Sequence, residues 1–329
     1  MNEVDFTQAV AIIRVYEKKL LSKQNFDRII DSNSYEDAFK ILIESLNPNK
    51  TDNFKYEDIL KYDLKETYDD VRKICPYREV VDFISIKYDY HNLKVSLKGK
   101  YLNKDFSNLF SDLGKYDAKE LNSHILNEDY SYFDEDIRTS ILDSINAFNE
   151  SNDPQILEIK LDKGLYKSLI KIAKELKSDL ALDIVKYSID FINFKTLLRI
   201  KRRGENVKLF ENAIIQDGFI NSEDLLKMHL DSFDSLSKHF KPYKHGDVFS
   251  EGLKGYLQYN NFSYFEKLAD DFIINIIKPF KYHAFGMEPI ISFLSAKENE
   301  IKILRIILTS KINNISPNSI RERMREVYV

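Results

Sequence analysis

Gly114-Lys115-Tyr116-Asp117-Ala118-Lys119-Glu120-Leu121 and Gly218-Phe219-Ile220-Asn221-Ser222-Glu223-Asp224-Leu225 follow one pattern, position by position. Each opens with a glycine, the residue that best tolerates the left-handed conformation closing a helix. Three residues on stands Asp117 or Asn221, able to accept bonds from the orphan amides of a following helix. Glu120 and Asp224 then fall where a capping-box partner or a dipole-favoured acid belongs. Asn313-Asn314-Ile315-Ser316-Pro317-Asn318-Ser319-Ile320 repeats the arrangement with proline at the first helical position, and Asp31-Ser32-Asn33-Ser34-Tyr35-Glu36-Asp37-Ala38 is a looser copy. The spacing predicts four tight helix–turn–helix corners.

Working outward, a second element precedes the corners. Asp89-Tyr90-His91-Asn92-Leu93-Lys94 lies before the second, Asp190-Phe191-Ile192-Asn193-Phe194-Lys195 before the third, and Lys297-Glu298-Asn299-Glu300-Ile301-Lys302 before the fourth. Val10-Ala11-Ile12-Ile13-Arg14 opens the chain in the same register, and Leu161 to Leu176 and Phe262 to Ile277 are candidate partner helices. Apolar residues at Phe6, Ala9, Val10, Ile13, Leu20 and Leu21 keep helical spacing, as do Ile301, Leu304, Ile307 and Leu308. Ala181 to Leu198 is apolar around most of its circumference and predicts a helix buried on several sides. Only 9 glycines and 7 prolines occur in 329 residues, so long uninterrupted helices are expected. The reading is an all-α protein with an internally duplicated helical unit, approximately at 1–50, 54–130, 161–235 and 262–329 of one body. Loops are expected at Asn47 to Asn53, Glu150 to Gln155 and around Lys241 to Gly255.

Composition narrows the function. A formal net charge of −4 lacks the positive excess with which a dedicated nucleic-acid binder displaces counterions. The one cysteine, Cys75, permits no internal disulfide and reads as a small core residue. No apolar stretch has the length to span a bilayer, and the acidic, polar start lacks the form of a secretory signal. Gly246, Gly252 and Gly255 have the wrong spacing for a phosphate loop, and the six histidines form no metal-ligand cluster, so no cofactor or metal is expected. Acid pairs such as Asp69-Asp70 diverge by about 100° on a helix and cannot share a substrate. The chain carries no legible catalytic set.

What remains is basic. Arg199, Lys201, Arg202 and Arg203 form the sharpest cluster, and Arg321, Arg323 and Arg325 a second near the other end. Cations favour a helix C-terminus, so a solvated helix end explains either group, and a docking surface for an acidic partner explains it as well.

The residues resemble the C subunit, also called the d subunit, of the V-type and A-type ATPase family. Arg14-Val15-Tyr16-Glu17-Lys18-Lys19-Leu20-Leu21-Ser22 is similar to the family's opening helix, and Tyr35 to Leu42 to its second. Asp190 to Arg199, with Arg203-Gly204 following, resembles the family's Asp-x-x-Asn-apolar-Lys-x-x-x-Arg segment, and Gly218 opens its next corner. Glu298 to Leu308 and Ile320-Arg321-Glu322-Arg323 resemble its closing repeat. The resemblance implies a funnel-shaped, all-helical, non-catalytic body of pseudo-three-fold symmetry. It would sit peripherally on the cytoplasmic face of the membrane, one copy per complex, between the proteolipid ring and the D- and F-type shaft subunits of the central stalk. Two features depart from that pattern. Four corners are read where three sectors are implied, and Lys98 stands where the later repeat has Arg199. A reading from another class is a helical-repeat scaffold that binds peptide or RNA in an unrelated complex.

Overall fold

The computed structural model describes residues 1–46 and 55–329, so the loop expected at Asn47 to Asn53 lies outside the described residues. The helices in chain order are α1 (Thr7–Glu17), α2 (Lys23–Asp31), α3 (Tyr35–Leu46), α4 (Tyr56–Ile74), α5 (Arg78–Leu102), α6 (Ala118–Leu126), α7 (Glu135–Ser151) and α8 (Pro154–Leu176). They continue as α9 (Asp179–Arg203), α10 (Val207–Ala213), α11 (Ser222–Leu230), α12 (Phe233–Phe240), α13 (Gly246–Tyr259), α14 (Ser263–Ile277), α15 (Glu288–Ile312) and α16 (Pro317–Arg323). No strand occurs among the described residues, so the all-α reading holds. The residues gather into two compact units, one made of 82–244 and the other of 1–81 with 245–329.

Local chemistry places these helices. Asp117 accepts from Lys119 N at 2.9 Å and Glu120 N at 3.0 Å, Asn221 from Glu223 N at 3.0 Å, Ser316 from Ser319 N at 3.3 Å and Ser34 from Asp37 N at 3.1 Å. All four predicted caps are therefore in place. Glu120 closes no capping box; its carboxylate accepts from Tyr132 Oη at 3.0 Å. A box does form at Ser22 and Asn25, opening α2.

In the 82–244 unit, α7 and α8 form a hairpin turned by Asn152 at φ 52°, capped by Asp153 and entered at Pro154. The loop there is shorter than expected, because capping chemistry starts α8 at once. Tyr90, Leu93, Leu97, Leu121, Ile125, Ile141 and Leu161 belong to one core. Tyr90 Oη sits between Ser140 Oγ at 3.0 Å and Ser168 Oγ at 2.9 Å, and burial raises its pKa. Lining up hydroxyls this way keeps a buried polar group satisfied.

In the other unit α15 is buried on nearly all sides, packed by α1, α2, α3, α4, α14 and α16. The segment read as a loop around Lys241 to Gly255 is a helix from Gly246 onward. Its glycines serve packing: a Cβ on Gly252 would lie 2.3 Å from Phe265 Cδ2, and one on Gly255 2.6 Å from Tyr264 Cδ1. Helix α13 is drawn against α14 so closely that only glycine fits. Cys75 is only half-buried, and its thiol donates to Tyr77 O at 3.2 Å.

Candidate docking surface

The repeated sequence elements meet as clasps. On α5, Asp89 accepts Lys115 N at 2.9 Å and Tyr116 N at 3.1 Å, while Asn92 exchanges bonds with Ser111, 2.8 Å to its carbonyl and 2.9 Å from its amide. On α9, Asp190 accepts Phe219 N and Ile220 N, both at 3.1 Å, and Asn193 exchanges bonds with Ile215 at 2.8 and 2.9 Å. The carboxylates thus hold the amides just before the caps of α6 and α11. They also explain the corner glycines. Neither Gly114 nor Gly218 has positive φ, contrary to the conformational role expected of them. A Cβ on either would stand 2.1 Å from the carboxylate oxygen Oδ1 of Asp89 or Asp190. Glycine is there to let a buried acid approach the backbone.

A third clasp is built across the chain. Glu300 on α15 accepts Leu21 N at 2.5 Å, the amide just before the Ser22 cap of α2. The three long helices are each 25 residues and the three short ones each 9. The far ends are held too. Lys100 donates to Ile125 O at 3.2 Å, Lys311 to Ser32 O at 2.5 Å, and Lys201 to His229 O at 2.7 Å and Asp231 O at 2.5 Å. A cation on exposed C-terminal carbonyls satisfies acceptors that the helix leaves open. The signal for these caps is a lysine near the last turn of each 25-residue helix.

This geometry sorts the basic residues. Lys201 is half-buried, faces the end of α11 and lies 5.5 Å over the Phe233 ring; burial lowers its pKa. Its ammonium is engaged inside the unit. Arg199, Arg202 and Arg203 are exposed and lie three and four residues apart, on one face of α9. Gly204 at φ 63° ends the helix behind them, with Glu205 N bonded to Ile200 O at 3.1 Å. Arg203 also reaches Glu205 at 3.4 Å. The face belongs to α9 alone, since α5 ends in Tyr101-Leu102 and α15 in Lys311-Ile312. Lys98, at the place of Arg199, pairs with Glu158 of α8.

The second basic group is mostly engaged in ion pairs within its own unit. Arg321 takes both oxygens of Asp31 at 2.7 Å and reaches Asp27 at 3.4 Å, tying α16 to α2. Arg325, its side chain 10% exposed, holds Asp270 at 3.0 Å. Arg323 stands exposed. Among the described residues no three His, Cys, Asp or Glu side chains are grouped to hold a metal ion, and no helix is long and apolar enough to cross a membrane.

Fold and surface define an all-helical scaffold, in which three long helices each grip a short one at both ends and one of them carries an exposed arginine face. The chain belongs to the ATP synthase (C/AC39) subunit family, which residues 9–323 match. It is 23% identical to the C subunit of the V-type sodium ATPase of Enterococcus hirae, with 99% of each chain covered. The C subunit of the A-type ATP synthase of Thermococcus kodakarensis is 25% identical over 96% of this chain and 89% of its own. That of Methanocaldococcus jannaschii is 24% identical over 94% and 84%. The resemblance read from the sequence is to this same family.

Proposed function

We propose that this protein is the central-stalk subunit of a V-type or A-type ATPase that joins the turning shaft to the proteolipid ring, in ion transport linked to ATP hydrolysis or synthesis. The observation that carries the reading is the family match along nearly the whole chain, with relatives that bear ATPase subunit names and are covered over most of their own length. The clasps suit such a part. A helix anchored through buried carboxylates and lysines at both ends resists deformation, as close-packed interiors do. Three clasped pairs are found among the described residues, as many as the sectors that the resemblance implies, and the third joins stretches far apart in the chain. The protein would act through stiffness and shape, not bond chemistry, as a peripheral subunit at the cytoplasmic face of the membrane.

Arg199, Arg202 and Arg203 are the residues we assign to an acidic patch on a D- or F-type shaft subunit; Arg323, in the other unit, is a separate candidate contact. Lys201 is engaged within the same unit at the end of α11, and Arg321 and Arg325 are engaged in ion pairs of the other unit, so none of the three is assigned to that contact. Complementary charge at an exposed rim acts mainly on the association rate and on its salt dependence. Replacing Arg199, Arg202 and Arg203 together by Glu is expected to slow association with the purified shaft subunits by at least tenfold at low salt, with an unchanged helical circular dichroism spectrum. Association at the wild-type rate would remove the arginine face from the interface.

A further inference from the structure

After α16 the chain does not continue as helix. Met324, at φ −63° and ψ 138°, turns it into extended backbone, and residues 324–329 run along the unit formed by 1–81 and 245–329. Besides two local bonds to α16, from the Met324 amide to Arg321 O at 3.1 Å and from Arg325 Nη1 to Arg323 O at 2.8 Å, the anchors of this run are side chains of other elements. Arg325 Nε donates to Asp270 Oδ2 at 3.0 Å, and the Glu326 amide donates to Asp271 Oδ1 at 2.5 Å, both acids on α14. The Glu326 carboxylate takes Lys278 Nζ at 2.5 Å, and its carbonyl accepts from Asn299 Nδ2 of α15 at 2.9 Å. Tyr328, 5% exposed, donates from its hydroxyl to Glu17 Oε1 of α1 at 3.0 Å.

Two of these anchors read the backbone of Glu326, amide and carbonyl, which is how an extended peptide is held. The others read an arginine, a glutamate and a tyrosine in fixed spacing. Val327, Tyr328 and Val329 also line a small cavity of about 10 Å³ together with Leu20, Leu21, Phe26 and Glu300. The tail therefore covers the corner whose Leu21 amide Glu300 holds. Arg14 completes the support beneath Glu17, donating to both its oxygens at 2.8 Å and to Phe280 O at 3.0 Å and His283 O at 2.5 Å.

We propose that this unit carries a binding site for an extended peptide presenting Arg, Glu and Tyr as in 325–328, and that residues 324–329 fill it as a separable strap fastening the α1–α2 corner. The strap is anchored along the C-terminal piece of the unit and reaches the N-terminal piece through the Tyr328–Glu17 bond and its packing over Leu20, Leu21 and Phe26, so its release loosens the clasp made by Glu300 before any other. The inference concerns this unit's own assembly and stands whether or not the arginine face docks a shaft.

Hydrogen exchange on the full-length chain tests it. Tyr328→Phe removes the bond to Glu17 while leaving Glu17 paired with Arg14. Losing a hydrogen bond to a charged group is expected to raise exchange on the order of tenfold, both in residues 325–328 and at Leu20 to Ser22, with α6 and α11 unchanged. Arg325→Ala, which breaks a different anchor, is expected to give the same pattern. An excess of synthetic peptide spanning residues 320–329 should return Leu20 to Ser22 to the wild-type rate. Three results would each overturn the proposal: a freed tail with an unmoved corner, a rise spread equally over α6 and α11, or a peptide without effect.

Discussion

Asp190 in the 82–244 unit and Glu300 in the other both hold the amide just before a helix cap, yet they differ in reach and in company. Asp190 has the shorter side chain, so the corner must come to it; Gly218 makes that approach possible, since a Cβ there would stand 2.1 Å from the carboxylate. Asp89 and Gly114 repeat this solution. Glu300 reaches one methylene further, and the matching corner residue is Lys19. The longer acid is accompanied by a buried lysine: Lys297 Nζ lies 2.6 Å from both Glu300 and Asp63 of α4. Span differs as well. Asp190 and Ile220 are 30 residues apart, whereas Glu300 and Leu21 are 279 apart. A short acid with a glycine makes a clasp within one stretch of chain; a long acid with a counter-charge makes it between stretches that meet only in the fold.

The strongest way to break this comparison is to remove the acid. Asp190→Ala leaves the buried Ile220 amide and the half-buried Phe219 amide without this acceptor, and an unsatisfied buried donor costs about 1–3 kcal/mol. A loss of roughly 2–4 kcal/mol is expected in urea unfolding, with faster hydrogen exchange at those two amides. A loss below about 1 kcal/mol would mean that water replaces the carboxylate and that the clasp is incidental.

The glycine gives a sharper test of the same geometry. Gly218→Ala should destabilise by about 2 kcal/mol through forced overpacking against Asp190. Combined with Asp190→Ala, the two losses should add to much less than their total, because the atom that the new methyl group strikes has gone. Additive losses would restore the conformational reading of this glycine. Gly204 offers a control of the other kind. It has φ 63°, and an alanine methyl there would have nothing within 4 Å, so the substitution meets only backbone strain, about 1 kcal/mol.

How far the sequence reveals this depends on distance along the chain. The caps at Ser34, Asp117, Asn221 and Ser316 were legible because a cap and its amides lie within three residues. The Asp-x-x-Asn elements were visible as repeats, but nothing local says that their side chains reach forward to the next corner. The glycines were visible for the wrong reason, since a close carboxylate and a positive φ select the same residue. Gly252 and Gly255 misled similarly: helix–helix contact through glycine has the composition of a loop. The third clasp was illegible, because the corner that Glu300 engages is at Leu21, not at the corners read around 31–38 and 313–320, which open α3 and α16. For the basic residues, clustering was apparent and direction was not. A helix C-terminus draws cations both to cap a neighbour, as Lys201 does, and to face solvent, as Arg203 does.

The company of Glu300 predicts a difference in pH response. Burial raises the Glu300 pKa, with Lys297 opposing it, and Lys297 is itself held up because Glu300 and Asp63 outweigh the burial that would lower it. A carboxyl whose folded pKa lies above its unfolded value binds its proton more tightly when folded, so ionisation disfavours the fold. Its contribution is greatest below the ordinary glutamate range and declines as pH rises toward the folded value. Glu300→Gln keeps an acceptor for Leu21 N and cannot ionise. The stability of wild type relative to this variant should therefore fall with rising pH, by about 1.4 kcal/mol for every pH unit that separates the folded pKa from the unfolded one. Urea unfolding of both proteins between the ordinary glutamate range and neutrality measures it. A wild-type advantage that grows as pH rises would mean that Lys297 stabilises the charged acid more than burial penalises it, and that the long-acid clasp is an ion pair first and a backbone holder second.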